Sequence, residues 1–142
     1  MRVLVVNGPN LNLLGTRRPE VYGTTTLGEL DELCRTWGTE LGCTVTVFQS
    51  NHEGAIIDRL HEAIGRCDGI VINPGALTHY SYALRDAIEA VDIPTVEVHI
   101  SDIAAREPWR ASSVITEVCV ASITGQGVAG YRRAIEVLSA RT

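Results

Sequence analysis

The sequence contains no lysine, because all twelve basic side chains among its 142 residues are arginines. This absence excludes enzymes that use a side-chain amine as a nucleophile or a Schiff-base partner. Acidic side chains number seventeen, which gives a net charge of −5, and the arginines form no basic arm or stripe. We therefore expect no nucleic-acid partner, since such binding depends on clustered positive charge.

Paired cysteines and long apolar runs are also missing. The four cysteines form no CxxC pair, which predicts reduced, mostly buried thiols rather than disulfides or a zinc site. No run reaches the roughly 18 apolar residues of a membrane span. The sequence begins directly with an apolar strand instead of a signal peptide. We therefore expect a cytoplasmic protein that has no membrane partner and no bound metal.

A chain of 142 residues that is 45 % hydrophobic fits a single domain, 1–142, that buries about two thirds of its unfolded surface. Runs rich in β-branched residues predict five strands, and segments with helical spacing alternate with them. This alternation favours an α/β fold with a parallel sheet, in the flavodoxin-like strand order 2-1-3-4-5, covered by helices on both faces. The predicted strands are 3–6, 45–48, 69–72, 95–100 and 118–123, and the helical segments are 27–41, 56–64, 83–91 and 129–138.

Two capping boxes predict where the first two of these helices begin. Thr26–Glu29 and Ser50–Glu53 each place a hydroxyl three residues before a carboxylate. In such a box the two side chains satisfy free backbone donors of the first helical turn.

The connection between the first strand and the first helix is unusually long. It includes Asn7–Gly23, whereas such loops usually take about 2–6 residues. Glycines at 8, 15 and 23 allow tight turns and hinge motion. The loop leaves the carboxyl end of a strand, where open parallel sheets bind their ligands. We therefore predict a lid over an active site, at about residues 8–25.

Polar side chains concentrate in four segments that leave this same edge of the sheet, which predicts that they converge on one pocket. Each residue alone also has a structural explanation: Asn73 can form a turn before Pro74, and His99 can bond to a backbone carbonyl. The residues are Asn10, Arg17 and Tyr22 in the lid, Asn73 and His79 after the third strand, Glu97, His99, Ile100 and Ser101 at the end of the fourth, and Arg110 beyond it.

Tyr22 and His99 are suited to act as a base and an acid. A phenol is a poor base at neutral pH, but a guanidinium such as that of Arg17 favours the phenolate through its charge. A phenolate that faces a histidine can abstract and donate the protons that elimination next to a carbonyl requires. The amides of Asn10 and Asn73 can hold a water molecule or a developing enolate oxygen. Spacing alone does not select the substrate.

Five blocks resemble the type II 3-dehydroquinate dehydratases, in the family's order, from about residue 2 to residue 138. They are NGPNLNLLGTR with Tyr22-Gly23, QSNHEG at 49–54, NPGALTH at 73–79, ALRDA at 83–87 and EVHIS at 97–101. The resemblance implies elimination of water from 3-dehydroquinate through an enolate, in the shikimate or quinate pathway, with neither metal nor organic cofactor. It also implies a homo-oligomer, namely a dodecamer of four trimers. The unrelated type I enzymes use a lysine Schiff base, which this chain cannot form.

The resemblance further implies a role for each site residue. Tyr22 is similar to the general base, Arg17 to the residue that favours its deprotonated form and stabilises the transition state, and His99 to the general acid. Glu97 resembles the carboxylate that orients the histidine, and Asn10 the side chain that anchors a water molecule on the enolate oxygen. The positions similar to substrate-binding residues are Asn73, His79, Asp86, Ile100, Ser101 and Arg110, of which Asp86 lies near a subunit boundary in the family.

Several residues near the predicted pocket depart from the family pattern. Arg18 replaces a usual glutamate and gives the lid two adjacent cations, and Asp102 replaces a common asparagine. None of the departures removes a proposed catalytic group. The others are Ala104, Pro108, Trp109, Ala111 and Ser112.

Other functions of the same topology fit the sequence less well. A signalling receiver domain would need an aspartate in place of Asn73 and a lysine near the fifth strand. A flavin-binding electron carrier would need a loop rich in Ser, Thr and Gly where this chain has Leu11, Leu13 and Leu14. A catalytically altered or silent relative that binds a related small carboxylate stays open at this point.

Overall fold

Five parallel strands form one sheet in the order 2-1-3-4-5 in the computed structural model, which describes residues 1–141. In register, Asn7 pairs with both Gln49 and Asn73, so the carboxyl ends of the first three strands of the chain are level. The predicted fold class and strand order are thereby confirmed. The strands are β1 (Arg2–Asn7), β2 (Thr44–Gln49), β3 (Gly69–Asn73), β4 (Thr95–His99) and β5 (Ala121–Thr124).

Helices cover both faces of the sheet. Alternate residues of β1 point to opposite faces, so Val3 and Val5 join one hydrophobic core, and Leu4 and Val6 join the other. A strand buried on both sides is apolar along its whole length, which explains the uninterrupted run at 3–6. Among residues 1–141, none of the helices combines the length and the hydropathy that a membrane span requires. The helices are α1 (Pro19–Tyr22), α2 (Leu27–Glu40), α3 (Glu53–Glu62), α4 (Tyr82–Val91) and α5 (Ala129–Ser139).

The predicted start of the fifth strand, at residue 118, was wrong. Thr116–Val118 forms a 3-10 turn, and β5 begins at Ala121. The apolar side chain of Val118 packs against the core beneath α3 and α4, so it is partly buried without being in a strand.

One predicted capping box is confirmed, and the other is wrong. Reciprocal hydrogen bonds of 3.2 and 3.3 Å close the box at 26–29, at the start of α2. At α3 the N-cap is His52, and the hydroxyl of Ser50 accepts from the amide of His52 instead. The carboxylate of Glu53 turns away and accepts a hydrogen bond from Ser81, at the start of α4.

The connection from β1 to α2 is ordered by its own short elements. A 3-10 turn at Leu11–Leu13 precedes α1. The side chains of Leu11 and Leu14 are only 5 % exposed and belong to the core beneath α2 and α5. The first half of the predicted lid is therefore anchored by apolar burial, and its second half carries Arg17 and Tyr22.

Candidate active site

The segments after β1, β3 and β4 enclose a pocket of about 50 Å³ at the carboxyl edge of the sheet. Two predicted site residues do not line it. Glu97 lies behind His99, to which it is hydrogen-bonded, and Asp86 is exposed on α4. The pocket brings together Asn10, Arg17, Tyr22, Asn73, His79, His99, Ile100, Ser101 and Arg110, and it adds Arg106, which the sequence did not predict.

Glycine allows the loops after β1 and β3 to lie against each other. A side chain at Gly8 would place its Cβ 2.6 Å from the carbonyl oxygen of Pro74. Gly75 has a φ of +59°, and a Cβ there would lie 3.0 Å from the carbonyl oxygen of Pro9. This contact fixes the start of the lid beside the segment that carries Asn73.

Two arginines surround the phenol of Tyr22. Nη1 of Arg106 donates a hydrogen bond of 2.8 Å to the Tyr22 hydroxyl. The guanidinium carbons of Arg17 and Arg106 lie 4.6 and 5.2 Å from the centre of the tyrosine ring. Two positive charges thus lie next to the phenol of Tyr22.

Arg106 also keeps a donor without a partner. Its Nη2 is buried and has no hydrogen-bond acceptor among residues 1–141, and its side chain is only 12 % exposed. A buried donor without an acceptor costs about 1–3 kcal/mol. Since Arg106 lines the pocket, an oxygen-rich ligand would satisfy this donor.

His99 is oriented by Glu97. The two residues are two positions apart on β4 and share one face of the strand. Nε2 of His99 donates to Oε2 of Glu97 over 2.6 Å. The histidine lines the pocket, and its Nδ1 has no hydrogen-bond partner within the described part of the chain. Nδ1 is therefore the ring atom that can exchange a proton with a ligand.

Four hydroxyl groups and the His99 ring surround the Glu97 carboxylate, which is fully buried. Burial alone would raise the pKa of Glu97, but hydrogen bonds, led by those from His99, Thr116 and Thr78, outweigh it and lower the pKa to about 2. The carboxylate is thus charged at neutral pH and accepts the hydrogen bond from Nε2 of His99. The hydroxyl donors are Thr78 and Thr116 at 2.5 Å, Ser113 at 2.9 Å and Ser122 at 3.4 Å.

Asn73 is held at both ends of its side-chain amide. Its Nδ2 donates to the Tyr131 hydroxyl over 2.9 Å, and its Oδ1 accepts from the amide of Gly75 over 3.1 Å. Tyr131 in turn donates to Oδ1 of Asn7 over 2.6 Å. Burial raises the pKa of Tyr131, which keeps its hydroxyl protonated as a donor. The orientation of Asn73 is therefore fixed by the backbone of Gly75 and by Tyr131 of α5.

Asn10 adopts the left-handed conformation, with a φ of +71°. Its backbone amide donates to Oδ1 of Asn51 over 2.9 Å, and the same oxygen accepts from Nε2 of Gln49 over 3.1 Å. These contacts hold a backbone conformation that asparagine tolerates better than most residues. They place Asn10 in the pocket lining.

His79 and Arg110 occupy another part of the lining. Nδ1 of His79 donates to the carbonyl of Ser112 over 2.7 Å, which leaves Nε2 as the ring nitrogen available to a ligand. Nε of Arg110 donates to Glu107 over 2.6 Å. Each side chain is thus held through one nitrogen, Nδ1 of His79 and Nε of Arg110, and its other nitrogens stay available to a ligand.

The lining carries positive charge although the chain is acidic overall. It includes three arginines and two histidines, and among the described residues that line it there is no Asp or Glu. The net charge of the whole chain is −5. Such a pocket favours an anionic ligand, because a carboxylate can accept two hydrogen bonds from one guanidinium.

The departures at 18 and 102 lie outside this lining. Arg18 pairs with Glu20 over 3.1 Å, and the Asp102 side chain accepts from the amide of Ala104 over 3.1 Å. Neither side chain changes the charge of the lining. Within residues 1–141, no group of three or more His, Cys, Asp or Glu side chains is arranged to hold a metal ion.

Comparison with known proteins identifies the family. The family described as "Dehydroquinase class II" matches residues 1–139. The chain belongs to this family. It is therefore an enzyme of the hydro-lyase class.

Relatives of this class II dehydroquinase cover nearly the whole chain. A protein of Thermotoga maritima named 3-dehydroquinate dehydratase is 56 % identical over 97 % of this chain and 94 % of its own length. The catabolic 3-dehydroquinase 1 of Neosartorya fischeri is 54 % identical over 94 % of this chain and 89 % of its own length. The crystal structure of a type II dehydroquinase from Butyrivibrio crossotus matches with a TM-score of 0.95 and 49 % identity, covering 97 % of each chain.

Proposed function

We propose that this enzyme eliminates water from 3-dehydroquinate to give 3-dehydroshikimate, with Tyr22 as the base and His99 as the acid. The observation that carries the proposal is one cationic pocket that holds a phenol flanked by two guanidinium groups and a histidine bonded to a buried carboxylate. The names of the relatives at 54 % and 56 % identity support the same substrate. The proposed cellular location is the cytoplasm.

The first step removes a proton from the carbon next to the substrate's ketone. The Tyr22 phenolate takes this proton, and the electron pair of the broken C–H bond moves onto the ketone oxygen to form an enolate. Arg17 and Arg106 stabilise the phenolate that begins the step. Asn10, through a bound water molecule, supports the negative charge that develops on the enolate oxygen.

The second step expels the hydroxyl group. The enolate re-forms the ketone, a carbon–carbon double bond forms, and the carbon–oxygen bond to the hydroxyl breaks. Nδ1 of His99 gives its proton to the departing oxygen, so that water leaves. Glu97 stabilises the protonated histidine before the transfer and keeps its ring oriented. No metal or organic cofactor takes part in this scheme.

The remaining lining residues position the substrate. Arg110 and the backbone N–H groups of Ile100 and Ser101 bind its carboxylate and ring hydroxyls, because a guanidinium fork and backbone donors match these acceptors. Asn73 and His79 complete the contacts.

Asp86 is exposed in the single chain, so its predicted contact with substrate requires a neighbouring subunit. This fits the proposed dodecamer of trimers. Analytical ultracentrifugation of the purified protein tests the assembly directly: twelve copies per particle support it, and a monomer contradicts it.

The assay for the proposed reaction follows the ultraviolet absorbance of the conjugated enone after 3-dehydroquinate is added to purified protein. We expect the absorbance to rise in proportion to enzyme concentration. Folded protein that produces no enone would contradict the proposal. Binding of 3-dehydroquinate without turnover would then indicate a silent relative that keeps only the pocket.

A further inference from the structure

An exposed tryptophan borders the pocket without lining it. Trp109 is 53 % exposed, yet its ring contacts two residues that do line the pocket. The guanidinium carbon of Arg110 lies 4.0 Å from the Trp109 ring centre. The His79 ring centre lies 5.2 Å away, with the two rings 84° apart. Both contacts have favourable geometry, a cation over a ring face and an edge-to-face aromatic pair.

Arg110 is shielded and fixed by its neighbours. Its side chain is only 14 % exposed, and its Nε donates to Glu107 over 2.6 Å. With Nε bonded and Trp109 over the guanidinium, rotation of the group would break two contacts. Nη1 and Nη2 donate to no other residue within 1–141. These two nitrogens form the fork that fits a carboxylate or a pair of hydroxyls.

The contact with His79 has a similar effect. The His79 ring donates a hydrogen bond from Nδ1 to the carbonyl of Ser112, and it forms an edge-to-face contact with the Trp109 ring. Both contacts leave Nε2 available to a ligand. One indole thus restricts two side chains that sit on the same part of the lining.

We propose that Trp109 is a positioning residue that sets substrate affinity by holding Arg110 and His79 in their binding orientations. This inference rests on the proposed function, since it assumes that both residues contact 3-dehydroquinate. Without the indole, the two side chains regain rotational freedom and contact with water, and substrate binding must then restrict them again. The proton-transfer groups Tyr22 and His99 do not touch Trp109, so KM changes and kcat does not.

The kinetic test uses Trp109→Ala and Trp109→Phe. We expect the alanine variant to raise KM about tenfold, the size of a partly desolvated cation–π contact, with kcat within about twofold of wild type. Phenylalanine keeps a ring over the guanidinium, so its KM stays within about threefold of wild type. A purely structural role would instead lower the melting temperature and leave KM unchanged in the folded fraction.

A double-mutant cycle tests whether Trp109 acts through Arg110. In an Arg110→Ala background, Trp109→Ala is expected to raise KM by less than about threefold, because the guanidinium that it positions is absent and only the contact with His79 is left. Equal effects of Trp109→Ala in both backgrounds would overturn the coupling.

Fluorescence gives a readout that does not depend on turnover. The chain has two tryptophans, so Trp37→Phe leaves Trp109 as the sole indole emitter. We expect 3-dehydroquinate to shift or quench this emission with a midpoint near KM. In a variant that also carries Arg110→Ala, we expect this change in emission to be smaller. No enone from wild-type protein would overturn the proposed function and this inference together. Normal wild-type turnover with an unchanged KM in Trp109→Ala would overturn this inference alone.

Discussion

Nη1 of Arg106 lies 2.8 Å from the hydroxyl oxygen of Tyr22, across 84 positions of sequence. This hydrogen bond joins the lid to the turn after β4 and closes one side of the pocket. It also places the positively charged guanidinium group of Arg106 next to the Tyr22 oxygen, which is the proposed base. The same nitrogen lies 3.4 Å from the hydroxyl of Ser101, so the contact ties the base to the part of the lining that is expected to bind substrate.

Removal of this charge should slow the reaction. For Arg106→Ala we expect kcat to fall by about 100-fold or more, the usual loss when one electrostatic stabiliser of a reacting group is deleted. Arg106→Lys restores a charge without the planar fork and should recover part of the rate. Steady-state kinetics measure both, with Arg133→Ala on the exposed side of α5 as the matched control. A kcat for Arg106→Ala within threefold of this control would assign the role to another group.

Two adjacent arginines of the lid provide an internal comparison. The Arg17 guanidinium lies over the Tyr22 ring, whereas Arg18 is exposed and pairs with Glu20. We expect Arg17→Ala to lower kcat by about 100-fold or more and Arg18→Ala to change it by less than twofold. Initial rates at saturating substrate decide between them. Comparable losses in the two variants would mean that the charge of the lid, not the position of Arg17, matters.

The strands of the sheet could be predicted because the sequence signals that mark them are local. Buried parallel strands are apolar along their length, and the runs at 3–6 and 69–72 needed no tertiary information. The predicted start of β5 is wrong because Val118 is apolar for another reason: it ends a 3-10 turn and packs against the core from there. The box at Ser50–Glu53 failed because Glu53 bonds to Ser81, 28 positions away, and no local pattern shows that partner.

The pocket was also largely predictable, since strand ends and one long loop carry most of its polar residues. Arg106 was missed because it lies in an irregular segment with no strand end beside it. Its spacing of four from Arg110 was the one available signal, since Arg106 follows one short turn, Arg110 ends the next, and both side chains line the same pocket. The hydroxyls around Glu97, such as Thr116, come from separate segments and could not be recognised without the fold.

Glu97 makes stability depend on pH. Folding lowers the pKa of this carboxyl from its ordinary 4.5 to about 2. Its ionised form therefore favours the folded state fully above pH 4.5, and this contribution is lost as the pH falls toward 2. From pH 7 to pH 3 we expect the unfolding free energy to fall by about 2 kcal/mol on this account. Urea unfolding of wild type and Glu97→Gln should show their difference shrinking over this interval.

Exposed Glu89 supplies the control for this measurement. The difference between wild type and Glu89→Gln should stay nearly constant between pH 7 and pH 3. If the Glu97→Gln difference were equally constant, the hydroxyl groups around Glu97 would not be stabilising its charge.

Tyr22 is the proposed base, and the kinetics of Tyr22→Phe measure its contribution to the reaction. The change deletes one hydroxyl, and we expect kcat to fall by about three orders of magnitude or more while the melting temperature and the affinity for 3-dehydroquinate stay close to wild type. Tyr82→Phe removes a hydroxyl from an exposed ring on α4 and should leave kcat unchanged. A Tyr22→Phe enzyme that works at the rate of the Tyr82→Phe control would show that another group removes the proton.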